Sequence, residues 1–171
     1  VSRRFARRLR ERGYAVLETR TADLFVPLEK RTILANDAQA DLFISIHANS
    51  AAGAKPRGME VYFASLDASD EGARAVADRE NRVFREARGA GNTVDPLVAI
   101  FGDMIAAETV REANAFARLA QERLDRVDRA ASRGVKQAPF VVLLGVQMPA
   151  VLVEIGFLSN PADERALSSP R

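Results

Sequence analysis

The stretches "DLFISIHA" (41–48) and "PAVLVEIGF" (149–157) constrain the fold more than any other part of the chain. Apolar residues occupy both alternating faces in each, as in strands covered on both sides by other elements. "PFVVLLG" (139–145) is apolar throughout and reads as another such strand. "YAVLETR" and "GMEVYFA" read as two more. Helical segments lie between them. Phe5 and Leu9 stand four apart among arginines, with Gly13 as a stop. "VPLEKRTILANDAQA" has Pro27 near the start of a second helix. Ala113, Phe116, Ala117, Ala120, Leu124 and Val127 follow helical spacing. "SNPADERAL" opens a last helix, with Ser159 or Asn160 as its cap. Strands alternating with helices give an α/β fold, with a mostly parallel or mixed central sheet of about five to six strands and helices on both faces.

Composition removes several function classes. A chain of 171 residues is normally one domain, long enough to bury a core. Cys is absent, which excludes a disulfide framework, a thiol nucleophile and a cysteine zinc site. The net charge is +2 and the arginines are interleaved with acids, so nucleic acid is not an expected partner. No apolar run approaches the roughly 18 residues of a membrane span, and no transmembrane segment is expected. The chain opens without Met and already in a helical pattern, so a missing upstream segment is expected.

In α/β sheets, sites gather at the carboxyl ends of strands. His47, the one histidine of the chain, closes "DLFISIH", and Glu154 closes "AVLVE". An ionisable group after such a run is costly unless it has a partner or a job. Either residue alone also reads as a structural hydrogen-bonder or a member of an ion pair. Together they suggest chemistry. No G-x-S-x-G elbow supports a serine hydrolase, and glycoside hydrolysis needs a second carboxylate beside Glu154. A metal-activated water with a glutamate base fits best. Catalytic zinc takes three protein ligands, however, and beyond His47 this chain offers only carboxylates.

Larger blocks carry a resemblance. "VPLEKRTILANDAQADLFISIHANS", "RGMEVYF" and "GVKQAPFVVLLGVQMPAVLVEIGFLSNPADERAL" strongly resemble, in order, the zinc-dependent N-acetylmuramoyl-L-alanine amidases of type 3. The resemblance runs from about Gly13 to the end of the chain. It implies a bacterial enzyme, periplasmic or extracellular, that cuts the amide between muramic acid and L-alanine of peptidoglycan. It implies that His47 is a zinc (Zn2+) ligand and Glu154 the catalytic glutamate. The family's "GHGG"-like turn and the glutamate that opens its first helix are not in this sequence. The resemblance therefore implies a single catalytic domain truncated at both ends, with two ligands upstream of Val1 and too little left here for activity. Asn49 and Gln137 are candidate substrate contacts, and loop-end capping explains them as well. The alternative to an enzyme is a wall-binding or regulatory module that kept the fold and lost the site.

Residues 67–108 are longer than a strand connection needs and read as a helical insert. Ala73, Val76, Ala77, Val83, Phe84 and Ala87 follow helical spacing, and Glu80 stands where that spacing calls for an apolar residue. "AVADREN" (75–81) resembles the regulatory insert of division-type amidases. That likeness implies a helix covering the active site until an activator with a LytM-like domain displaces it, with Glu80 as the plug. Pairing of Glu80 with a core arginine is the plain alternative.

Overall fold

The computed structural model describes residues 1–82, 107–127 and 132–169. Helix α1 (Ser2–Arg10) ends where Gly13 takes φ +86° and the Tyr14 amide donates back to the Leu9 carbonyl. A left-handed residue costs glycine no Cβ clash, so the chain turns there. Helix α2 (Leu28–Asp37) follows Pro27, and β1 (Phe43–Asn49) and β2 (Met59–Ala64) come next. Helix α3 (Glu71–Glu80) is capped by the Asp70 carboxylate, which accepts from the Ala73 amide at 2.7 Å. Helix α4 (Ala107–Asp125), β3 (Ser132–Ala138), the single turn α5 (Val141–Leu144), β4 (Ala150–Phe157) and α6 (Pro161–Ser168) complete the described chain. Asn160 caps α6, its side chain accepting from the Ala162 and Asp163 amides. The helical spacing expected at Val83, Phe84 and Ala87 lies outside the described residues.

The sheet has four strands in the order β1-β4-β2-β3. β1 runs parallel to β4 and β2 parallel to β3, while β2 and β4 are antiparallel. The sheet is therefore mixed, with helices on both faces as the sequence pattern implied. On one face Ala113 and Ala117 of α4 pack on Val61, Phe63 and Val151. The other face holds the larger cluster, with Tyr62 and Leu152 under α2, α3 and α5. Full burial of side chains such as Phe140, Leu144 and Leu152 contributes roughly 1.5–3 kcal/mol each. That margin lets the same face carry a row of buried polar groups at its far end.

Two expected strands are absent, which is why the described sheet has fewer than five. "PFVVLLG" forms the turn α5, and its strand lies just upstream at Ser132–Ala138. The reason is local. Asn81 donates to the Pro139 carbonyl at 2.8 Å and accepts from the Val141 amide at 2.9 Å, taking backbone groups that a sheet ladder would use. "YAVLETR" is irregular, with Tyr14 63% and Leu17 57% exposed. There the Arg10 guanidinium binds the Val16 carbonyl at 2.8 Å and the Glu18 carboxylate at 3.0 Å.

Candidate active site

Strand alternation places Phe43, Ser45, His47 and Asn49 on one face of β1, and Ala150, Leu152 and Glu154 on the same face of β4. The register then does the assembling. His47 pairs with Glu154 across the parallel ladder, and Glu154 pairs with Glu60 across the antiparallel one. A single row thus crosses three strands as imidazole, carboxylate, carboxylate, where the apolar face gives way to polar groups.

The two carboxylates of the row are held differently. Glu60 is fully buried and well partnered: Arg133 Nε lies 3.0 Å and Lys136 Nζ 3.5 Å from its Oε2, and Asn49 Nδ2 donates to its Oε1 at 3.2 Å. Ser132 pairs with Met59 and Val135 with Val61, so Arg133 and Gly134 both stand opposite Glu60, with Gly134 at φ +79°. Such a bulge re-aims a side chain. Glu154 is equally buried, yet neither of its oxygens has a hydrogen-bond partner. Burial above all, then the charges of Glu80 and Glu60, push its carboxyl up to about 8, against a smaller opposing effect of Arg79.

Helix α3 closes over this row with its last turn. Glu80 Oε2 lies 2.7 Å from His47 Nδ1, and the other ring nitrogen, Nε2, lies 2.9 Å from Ser45 Oγ. Burial acts to raise the Glu80 carboxyl, but the hydrogen bond and charge of His47, with Arg79 and Arg31, together hold it below its ordinary value. Arg79 donates to Asn49 Oδ1, which also accepts from the Ser50 amide. Helix α3 therefore meets β1 through two consecutive residues, Arg79 on Asn49 and Glu80 on His47.

His47, Glu80 and Glu154 each offer a ligand atom, all within 4.8 Å of one another. An imidazole and two carboxylates suit a divalent cation such as zinc. The two orphaned oxygens of Glu154 are the sharper sign, because a buried polar group without a partner costs roughly 1–3 kcal/mol unless something completes it. The residues present fit a metal.

The structure thus brings His47, Glu154 and Glu80 together. Asn49 joins them only through Arg79 and Glu60, with its amide committed on both sides. Gln137 stands apart. It pairs with Phe63 on the α4 side of the sheet and lines a cavity of about 410 Å³ with Phe63, Asn114 and Arg118. Glu60, Arg79 and Ser45 escaped the sequence reading. A signal existed for Ser45, a polar residue two positions before His47 and so on the same strand face. None existed for Glu60, whose neighbours are set by strand register.

Comparisons with known proteins place the chain in a family. The N-acetylmuramoyl-L-alanine amidase family model covers residues 1–171. The chain belongs to that family. It is 33% identical over 163 residues to the amidase AmiA of Escherichia coli, covering 94% of this chain and 56% of that one. It is 34% identical over 173 residues to the amidase AmiC of Neisseria meningitidis, covering 99% and 41%. The chain thus spans about half the length of the curated relatives it matches. Among solved structures, an amidase from Clostridium difficile superposes with a TM-score of 0.68 at 24% identity, covering 98% of this chain and 69% of that one. The amidase AmiC2 of Nostoc punctiforme gives 0.60 at 26%, covering 98% and 69%. The type 3 amidase fold is that of this chain.

Proposed function

We propose that this chain is catalytic machinery of a zinc-dependent peptidoglycan amidase, acting in the cell envelope on the bond between N-acetylmuramic acid and L-alanine. The carrying observation is Glu154, fully buried, without a hydrogen-bond partner, and beside the one imidazole of the chain. His47 would be the ligand this cluster gives to zinc, with Glu154 beside it as the base and Glu80 over it while α3 is closed. When bound, zinc would supply a polarised carbonyl and a water acidic near neutrality. Glu154 takes the proton of the attacking water on a carboxylate oxygen and returns it to the leaving amine. Its two oxygens, without hydrogen-bond partners, are free for that exchange.

The family membership and the named relatives support the reaction class, and the seat of α3 supports regulation. Glu80 and Arg79 cover the row that substrate would have to reach. The insert acts as a lid, and an activator with a LytM-like domain opens it during daughter-cell separation by offering the apolar side of α3 a better groove.

The test is release of stem peptide from purified peptidoglycan by the complete protein with zinc. Loss of release in Glu154→Gln, with metal content kept, is the expected result. No release by the complete wild-type protein, together with retained binding to peptidoglycan, would favour the non-catalytic module instead.

A further inference from the structure

One hydrogen bond beside the site has no part in the reaction above. Ser45 is 7% exposed, in the middle of a strand whose neighbours on that face include Phe43 and Leu152. A hydroxyl there is costly unless it is paired. Its partner is His47 Nε2, at 2.9 Å. The other ring nitrogen faces Glu80 and the carboxylate cluster.

We infer that Ser45 is the positioning residue for His47 and holds the ring in two states by reversing the direction of this one hydrogen bond. The inference rests on reading His47 as a metal ligand. With α3 closed, the Glu80 carboxylate can only accept, so Nδ1 carries the proton. In the neutral ring Nε2 then bears a lone pair and accepts from the Ser45 hydroxyl. With a cation in the cluster, the lone pair must be on Nδ1. The proton leaves Nδ1, Nε2 gains one from solvent, the ring stays neutral, and Nε2–H donates to Ser45 Oγ. Only a group that both donates and accepts can serve both states, and a hydroxyl does so by rotating about its C–O bond. Residues that orient ligating histidines in this way typically govern metal affinity by about 10–100-fold.

The chain has a single histidine, so its ring nitrogens can be observed without overlap. The experiment is nitrogen-15 NMR of histidine-labelled protein, metal-free and with saturating zinc, at a pH where the ring is neutral, for wild type, Ser45→Ala and Ser45→Thr. In the metal-free wild type the proton is expected on Nδ1, and with zinc on Nε2. Ser45→Ala should leave the metal-free proton on Nδ1, where Glu80 holds it, shift the Nε2 resonance that loses its hydroxyl donor, and weaken zinc binding about 10–100-fold. Ser45→Thr, which keeps the hydroxyl, should restore both. Folding is checked by the amide spectrum of each variant, and alanine fills less space than serine, so no clash is introduced. Zinc ligated through Nε2, or an unchanged Nε2 resonance and zinc affinity in folded Ser45→Ala, would overturn the inference. If zinc left the His47 signals untouched, the metal reading would fail. The metal-free arm would still decide whether Ser45 orders the ring.

Discussion

A carboxylate with both oxygens buried and unpartnered, as in Glu154, is in its ordinary protein setting a liability. Its cost has a definite pH dependence. The folded carboxyl is raised to about 8, far above the usual glutamate range, so the neutral acid is the form the metal-free fold prefers. The stability this preference gives is fully present below the unfolded value, near 4.3, and is lost as pH rises through about 8. The metal-free protein is therefore expected to lose thermal stability between roughly pH 5 and pH 8, and Glu154→Gln to flatten that loss. Equal slopes in the two melting series would show that Glu154 is not the source. In the zinc-loaded complete enzyme, Glu154→Ala should keep metal and lose about 10²–10⁴-fold in rate. If metal leaves with activity, Glu154 is a ligand rather than a base. The meeting of His47 with Glu154 was legible in the sequence because each ends an apolar run. Glu60 was not, since "GMEVYFA" reads as a strand without showing which groups its register sets against Glu60. The placement of Arg133 and Lys136 on the next strand, with the Asn49 amide, makes a buried glutamate tolerable there.

Helix α3 is fastened at both ends, and each fastening gives a measurement. At its start, Asp70 accepts from the Ala73 amide and lies 3.3 Å from Lys136 Nζ, and first that backbone bond and then Lys136 hold its carboxyl below the usual range. Asp70→Ala is expected to cost about 1 kcal/mol and to speed hydrogen exchange along Glu71–Glu80. Because the carboxyl is depressed, the wild-type advantage is present at neutral pH and lost as pH falls through the lowered value. Asp70→Asn, which keeps the cap, should show no such acid loss. Exchange unaltered by either change would mean that packing of Val76 and Ala77 alone seats the helix. At its end, Glu80→Ala and Arg79→Ala should each raise the basal rate of the complete enzyme and make it less dependent on an activator. A folded Glu80→Ala protein with a lowered rate would place Glu80 in the catalytic machinery and end the lid reading. The helix itself was legible from the spacing of Ala73, Val76 and Ala77. Its seat over His47 was expected only from the likeness of "AVADREN" to a regulatory insert, because spacing shows which face is buried and says nothing of what it is buried against. The same gap explains α5: "PFVVLLG" is equally apolar as strand or turn, and a distant residue, Asn81, chose the turn.

At the scale of the molecule, the layered α/β architecture followed from apolar runs alternating with helical spacing, whereas strand number depended on backbone partners that no run displays. The site is a product of that topology. β1 and β4 run parallel, so their carboxyl ends coincide, and the antiparallel β2 brings Glu60 to the same end from the opposite direction. The whole chain should therefore respond to a cation at this one place. A ligand that binds only the folded state at about 100 times its Kd adds about 2.7 kcal/mol. With one imidazole and no cysteine in 171 residues, the cluster is a weak ligand set for zinc. The 171-residue chain is expected to show a rise in melting temperature only at high zinc concentration, and to release no stem peptide from peptidoglycan. The rise should vanish in His47→Ala, because that change removes the cluster's nitrogen ligand while leaving the apolar face of the sheet intact. A zinc-induced rise that survives His47→Ala would place the cation elsewhere. Zinc-dependent release of stem peptide by this chain alone would show that Glu80 and Glu154 complete a catalytic ligand set with His47, and the lid would then have to be read as part of the active site.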